Sequence, residues 1–300
     1  MTVSLPEDTY HFKFYTTLSG LVRDFNIYEV GPRDGLQNAP FTVGTQEKIE
    51  LIRSLANAGL TDMEVGSFVH PKIVPSMADS AAVFEEVADY GDFSVLIPNE
   101  KGLDRALSVG VENFNIFFSP SEAFNKRNLG RTKTEAMTEY LRMLERIPDS
   151  KVRVYLSVIF GCPFEGKIPD DKIYESILEA SLLGDTVVLC DTIGQATKND
   201  IQKICEYAED FKADFALHLH HKPKNEKRAM ALIEEAIAGG ITEIDASIGG
   251  LGGCPLMPGS SGNVATEKLV NIPGYDCGID SDSLLPALEW IKKRNQEVIL

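Results

Sequence analysis

The sequence lacks any apolar run approaching the roughly 20 residues that span a bilayer. Its first fourteen residues contain early acidic side chains and no apolar stretch, a pattern that predicts neither a secretory signal nor a transit peptide. Cysteine is scarce and odd in number, at five, which indicates reduced thiols rather than a disulfide framework. We therefore expect a cytoplasmic protein with no membrane partner.

Positive charge is also in short supply. The chain has 29 lysines and arginines against 45 aspartates and glutamates, for a net charge of −16. An acidic surface repels phosphate backbones and anionic lipid, so nucleic acid is excluded as the expected partner. An anionic small-molecule substrate then requires basic residues at its own binding site.

A third absence is the glycine-rich phosphate fingerprint of a doubly wound sheet. The first predicted strand leads into Gly31-Pro-Arg-Asp-Gly35, which does not have the G-x-G-x-x-G form. Eight β-branched or aromatic runs alternate with amphipathic helical segments, at 27–30, 62–66, 93–97, 113–117, 152–158, 186–189, 215–219 and 242–246. Eight βα units predict an α/β fold, a single TIM (β/α)8 barrel domain over residues 1–300, with an additional C-terminal helix at about 281–295.

Barrel enzymes carry their chemistry at the C-terminal ends of the strands, and the uncommon polar residues of this chain fall there. Strand seven ends in His218-Leu-His220, and strand alternation places both imidazoles on one face. This spacing is typical of metal ligands. Together with Asp34, after strand one, the set suits Mg²⁺, Mn²⁺ or another divalent ion. The alternatives are core histidines with satisfied hydrogen bonds and a structural Arg33–Asp34 ion pair.

Two carboxylates and one glycine-rich segment leave further roles open. Glu64 on strand two faces inward, so it needs a partner such as Arg33 or a role in proton transfer. Asp191, after strand six, is either a helix N-cap or a carboxylate at the barrel mouth. Residues 249–262 include six glycines, a composition that predicts a mobile loop closing over a substrate, with Cys254 in its middle.

Taken together, these motifs resemble the 3-hydroxy-3-methylglutaryl-CoA lyase family, within a wider group of metal-dependent barrel lyases and Claisen-type synthases. The strand-one motif marks the wider group, whereas the cysteine loop is specific to the lyase branch. The matching segments span most of the chain and are 29–38, 67–69, 71–72, 74–75, 161–166, 191–194, 250–255, 261–263 and 265–267.

The resemblance implies a cofactor, a substrate and an assembly. A divalent metal, Mg²⁺ or Mn²⁺, is expected at Asp34, His218 and His220, with Asn263 beside it. The expected substrate is a CoA thioester, cleaved to acetyl-CoA and acetoacetate, and the expected assembly is a homodimer.

The resemblance also assigns reacting groups. Arg33 is expected to stabilise the developing enolate oxygen, Cys254 to take part in proton transfer, and an imidazole such as His218 to accept the hydroxyl proton. The residues expected to be catalytic are Arg33, Glu64, Asp191, His218 and Cys254. Those expected to bind the substrate are Arg33, Ser67 and Asn263.

One segment departs from the family pattern. After the second histidine the family continues Asp-Thr-Tyr-Gly-Gln, whereas this chain reads His221-Lys-Pro-Lys-Asn225. Both expected ligand histidines are retained, so the departure concerns the substrate contacts of this loop, and the acyl group stays open. Two alternatives remain: a condensing synthase that uses acetyl-CoA and a 2-oxo acid, and an inactive barrel that only binds a metal or ligand.

Overall fold

Eight parallel strands close into a barrel in the computed structural model, which describes residues 16–17, 20–21, 23–252 and 262–299. Around the barrel each strand pairs with its neighbours in chain order, and the eighth pairs with the first. This confirms the predicted TIM barrel. The strands are β1 Asn26–Glu29, β2 Asp62–Ser67, β3 Asp92–Leu96, β4 Asn113–Phe118, β5 Val152–Leu156, β6 Thr186–Asp191, β7 Asp214–Leu219 and β8 Glu243–Ala246.

The helices pack around the barrel through apolar stripes. In α1 the stripe consists of Ile49, Ile52 and Leu55, which recur at the three-residue steps seen in the sequence and are all buried. The helices are α1 Thr45–Asn57, α2 Ser80–Val87, α3 Glu100–Leu107, α4 Glu122–Leu129, α5 Lys133–Leu144, α6 Asp170–Ser181, α7 Lys198–Ala208, α8 Glu226–Ala238, α9 Thr266–Leu269 and α10 Leu285–Ile299.

The predicted C-terminal helix is confirmed as α10, which follows a 3₁₀ turn at Ser281–Leu284. Its buried Ile291 lies beside Gly249, just after β8, where an added Cβ would meet the isoleucine at 3.1 Å. The helix therefore supports the segment that leaves the last barrel strand. The assignment of 1–300 to one domain stays a prediction.

The interior of the barrel differs from the helix layer. Its apolar side chains form a small cluster of Tyr155, Val188, Cys190 and Ala216, separate from the large core between strands and helices. Buried polar side chains on β1, β2, β4, β5, β7 and β8 lie beside it. Among the described residues, no helix is both long and apolar enough to cross a membrane.

Candidate metal centre and active site

The loop that follows β1 is a short π-helical segment, Gly31–Gly35, which carries Arg33 and Asp34. Buried Glu29 holds this loop in place. One of its oxygens accepts hydrogen bonds from the backbone of Gly31 at 2.7 Å and of Ile248 at 3.0 Å, and the other accepts from the Thr266 hydroxyl at 2.5 Å. Burial outweighs these bonds and raises the pKa of Glu29 to about 7. One carboxyl group thus joins the exits of β1 and β8.

Asp34, His218 and His220 meet at the barrel mouth, with one potential ligand atom from each lying within 4.8 Å of the others. The two Nε2 atoms are 2.9 Å apart, and Nε2 of His220 is 3.7 Å from Oδ2 of Asp34. Two facing imidazole nitrogens can share only one proton, whereas a divalent cation can accept both lone pairs. The donor set therefore fits the predicted metal.

Asn263 lies beside this cluster, as the resemblance implies. Its Nδ2 donates to Oδ2 of Asp34 and to the carbonyl of Leu251, both at 2.8 Å, while its buried Oδ1 has no hydrogen-bond partner in the described part of the chain. Gly252 makes this packing possible, because it adopts φ +108° and an added Cβ would lie 2.5 Å from Nδ2 of Asn263. The unpartnered Oδ1 adds an oxygen donor of the kind that Mg²⁺ and Mn²⁺ accept.

The electrostatics of the cluster favour the protonation state of a metal ligand at Asp34 and His220 but not at His218. Burial works against ionisation of Asp34, but the charge of Arg33 and the neighbouring histidines outweigh it and hold the Asp34 pKa well below its ordinary value. Burial lowers the pKa of His220. Burial acts the same way on His218, but the hydrogen bond and charge of Asp245 prevail and raise its pKa. Near neutral pH, Asp34 is thus an anion and His220 is neutral.

Arg33 connects the cluster to Glu64. Its Nε donates to Glu64, and Nη1 donates to Oδ1 of Asp34 at 2.9 Å. Glu64 is fully buried and also accepts from Nδ2 of Asn115 at 2.8 Å. Burial raises the Glu64 pKa against the attraction of Arg33. The structure therefore pairs Glu64 with Arg33, one of the two interpretations of the sequence. Among the described residues Arg33 lines the cavity and Glu64 does not.

A cavity of about 380 Å³ opens over these groups. Its wall includes the four ionisable side chains of Arg33, Asp34, His218 and His220. It also includes the apolar side chains of Val69, Ile73, Val74, Leu96, Phe117 and Phe124. A mostly apolar wall with a few charged groups is typical of a small-molecule site.

Sequence reasoning missed three polar groups of the cavity wall. The Gln37 side-chain oxygen Oε1, the Tyr155 hydroxyl and the Thr192 hydroxyl are buried, have no hydrogen-bond partner among the described residues, and belong to residues that line the cavity. Buried polar atoms are normally paired, so these are candidate contacts for a bound molecule. For Tyr155 the signal was present in β5, where Arg153 and Tyr155 alternate with apolar residues.

The remaining predicted site residues lie elsewhere. Ser67 is buried, with Oγ accepting from the backbone of Val69 at 3.3 Å, and is not among the lining residues, so its substrate contact stays a prediction. Asp191 ends β6 and accepts from the backbone of Gln195 at 3.0 Å and Ala196 at 2.7 Å, so it caps the turn before α7. The N-cap of α7 itself is Thr197, so the prediction that Asp191 is a helix N-cap is wrong. Its catalytic role stays a prediction. Cys254 lies outside the described residues.

The segment that departs from the family pattern forms an exposed 3₁₀ turn, Pro223–Asn225. In the described part of the chain, the cavity wall includes His220 and none of residues 221–225. The altered loop therefore leaves the described wall of the cavity intact.

The closed parallel barrel carries candidate Asp and His ligands and a buried arginine at the C-terminal ends of its strands. This arrangement defines the class of TIM-barrel enzymes with a candidate metal centre. Within this class the chain can be placed further. The HMGL-like family model matches residues 24–284, and the chain belongs to this family.

Two curated relatives and one solved structure illustrate the family. Hydroxymethylglutaryl-CoA lyase of Bacillus subtilis is 36% identical over 284 residues, covering 89% of this chain and 92% of the relative. A Pseudomonas aeruginosa 3-hydroxy-3-isohexenylglutaryl-CoA/hydroxymethylglutaryl-CoA lyase is 36% identical, covering 89% and 91%. The structure of an HMG-CoA lyase from Acinetobacter baumannii with coenzyme A and 3-methylmalate superposes with a TM-score of 0.83 at 31% identity, covering 93% and 92%. The predicted family and enzyme class, a carbon–carbon lyase, are confirmed.

Proposed function

We propose that the protein is a divalent-metal-dependent lyase that cleaves 3-hydroxy-3-methylglutaryl-CoA, or a closely related 3-hydroxyacyl-CoA, to acetyl-CoA and acetoacetate or a related keto acid. The observation that carries the proposal is the meeting of Asp34, His218 and His220 beside Arg33 in one cavity. The relatives' names support this substrate, and the neighbour that contains coenzyme A supports a CoA thioester. Residues 221–225, which depart from the family pattern, are not among the described residues that line the cavity, and this supports the family substrate.

Asp34, His218 and His220, with Asn263, are the residues that would hold the metal. A bound divalent cation supplies concentrated positive charge that favours negative charge developing on a substrate oxygen. Mg²⁺ and Mn²⁺ both suit the mixed nitrogen and oxygen donors.

Cleavage requires the tertiary hydroxyl to lose its proton to a neighbouring imidazole or carboxylate while the carbon–carbon bond breaks. The electron pair of that bond passes into the enolate of the thioester, and the hydroxyl carbon becomes the ketone of acetoacetate. Arg33, fixed by its two carboxylates at the cavity wall, offers N–H donors to the enolate oxygen. Cys254 then protonates the enolate carbon to complete acetyl-CoA.

The experiment is a measurement of acetyl-CoA release from a panel of 3-hydroxyacyl-CoA thioesters, before and after treatment with EDTA. We expect release from 3-hydroxy-3-methylglutaryl-CoA that stops with EDTA and returns with Mg²⁺ or Mn²⁺. No thioester consumption across the panel, with metal present, would contradict the proposal. Release of free CoA from acetyl-CoA and a 2-oxo acid would instead indicate a condensing synthase.

Cys254→Ala tests the reacting thiol, with Cys277→Ala as the matched control because Cys277 is a partly exposed free thiol outside the cavity wall. We expect Cys254→Ala alone to lower kcat. Equal activity of both variants and the wild type would remove the thiol from the mechanism. We also propose a cytoplasmic homodimer, which light scattering of the purified protein and fractionation of the source cells would test.

A further inference from the structure

Asp245 on β8 contacts the candidate ligand His218 from the side opposite to the cluster. The two residues are register partners on neighbouring strands, and Oδ2 of Asp245 lies 3.0 Å from Nδ1 of His218. Both side chains are buried, and Asp245 does not line the cavity.

The contact decides which imidazole nitrogen can bind a metal. A carboxylate accepts but does not donate, so Nδ1 of His218 carries the hydrogen, and the lone pair belongs to Nε2. That Nε2 faces the Nε2 of His220 at 2.9 Å. Metal-ligating histidines commonly have such an outer partner, which fixes both the tautomer and the ring orientation.

Arg153 on β5 keeps Asp245 in place. It donates to Oδ1 of Asp245 at 2.7 Å and also donates to Glu243, two residues earlier on β8. Its guanidinium carbon lies 3.6 Å from the centre of the Tyr28 ring. Each oxygen of Asp245 therefore has its own partner, and a cation balances the buried carboxylate.

We propose that Asp245, held by Arg153, is a positioning residue that presents Nε2 of His218 to the metal. The proposal rests on the metal-dependent function proposed above. Glu243 shares the same arginine but has no contact with His218 among the hydrogen bonds and ion pairs of the described residues. Both carboxylates therefore balance the charge of Arg153, but only Asp245 can orient the His218 imidazole.

The test compares Asp245→Asn with the matched control Glu243→Gln. Each variant removes one negative charge beside Arg153, but only the first changes the group that faces His218. Mn²⁺ binding to each purified, metal-stripped full-length protein is measured by isothermal titration calorimetry, after circular dichroism has established that the variants are folded. We expect Asp245→Asn to weaken Mn²⁺ binding by about 10- to 100-fold and Glu243→Gln by less than about 3-fold.

Equal affinities of Asp245→Asn and the wild type would overturn the proposal, as would equal weakening by both variants. If Asp245→Asn does not fold, Asp245→Glu takes its place, because it keeps the charge for Arg153 and shifts the carboxylate relative to the imidazole. The same loss is expected, and wild-type affinity again overturns the proposal. Absence of Mn²⁺ binding by the wild type contradicts the metal-dependent function itself, so the two failures are distinguishable.

Discussion

Two buried arginines organise the barrel interior, and each is paired with two carboxylates. The first cluster is Arg33 with Asp34 and Glu64, and the second is Arg153 with Glu243 and Asp245. Both arginines are 8% exposed, yet only Arg33 lines the cavity.

The two clusters differ in whether their side chains line the cavity. In the first, the arginine and a carboxylate both face the cavity, so Arg33 can contact a reacting oxygen while Asp34 is a candidate ligand. In the second, Asp245 contacts the candidate ligand His218, and Arg153 does not line the described cavity wall. We therefore propose that the same ion-pair chemistry serves catalysis in the first cluster and positioning in the second.

Arg33→Lys should lower kcat more than any other variant of the two clusters. The variant distinguishes a group that contacts the enolate from one that only balances charge. Lysine keeps the charge but loses the planar fork that bonds Glu64 and Asp34 while facing the cavity. We expect kcat to fall by about 10²- to 10³-fold, with Mn²⁺ affinity changed by less than about 3-fold. Steady-state kinetics and calorimetry provide the two measurements. A loss of metal affinity with unchanged kcat at saturating Mn²⁺ would mean that Arg33 acts on the metal, as the second cluster is proposed to do, and not on the enolate.

Glu29 sharpens the comparison, since it is a buried carboxyl group whose hydrogen bonds come from two backbone amides and a hydroxyl rather than an arginine. Its pKa is raised from 4.5 to about 7 in the folded protein. Between these values the folded state binds more protons than the unfolded state, so the stability contributed by protonated Glu29 is complete below about pH 4.5 and is lost as the pH rises through about 7.

Relative to Glu29→Gln, the wild type should therefore lose about 3 kcal/mol of stability as the pH rises from 4.5 towards 8. The glutamine variant keeps an acceptor for the two backbone donors without titrating. Urea unfolding of both proteins across this range measures the difference. A pH-independent difference would show that Glu29 does not titrate in this window.

Arg153→Lys should have a smaller effect than Arg33→Lys, and it should lower Mn²⁺ affinity and not kcat. Lysine retains the charge beside Asp245 but holds two carboxylates less rigidly. We expect Mn²⁺ affinity to fall by about tenfold and kcat at saturating Mn²⁺ to stay within about 3-fold of wild type. Titration of activity against Mn²⁺ gives both values. A fall in kcat that excess metal does not restore would place Arg153 in the chemistry.

The smallest effect is expected at a surface pair, Arg142 with Glu100, in which both side chains are largely exposed. Arg142→Ala should change the free energy of unfolding by less than about 1 kcal/mol, because solvent screens such pairs. Kinetics and metal affinity should be unchanged. A larger response would mean that general electrostatics, and not the two buried clusters, control the site.

The sequence alone predicted the barrel well because local patterns carry that information. All eight strands were placed, with discrepancies of at most two residues, the largest at the ends of β5 and β6. The pairing of His218 with His220, and their meeting with Asp34, followed from strand alternation and from the rule that strand ends share one mouth.

The second cluster was missed because its members are far apart in sequence. Arg153 and Asp245 are 92 residues apart, and their contact depends on how the barrel closes. The available signal was alternation: Glu243, Asp245 and Ser247 alternate with Ile244 and Ala246 in a strand that a parallel barrel normally buries on both faces. Whether Asp191 caps a turn or faces the substrate could not be predicted either, because both roles use the same residue at a strand end.

Anomalous diffraction from crystals of the Mn²⁺-loaded protein tests the metal centre most directly. The account predicts one manganese peak in contact with the Asp34 carboxylate and with Nε2 of both His218 and His220. The account would be contradicted by a manganese peak at another position, or by the absence of a peak between these three side chains at saturating Mn²⁺.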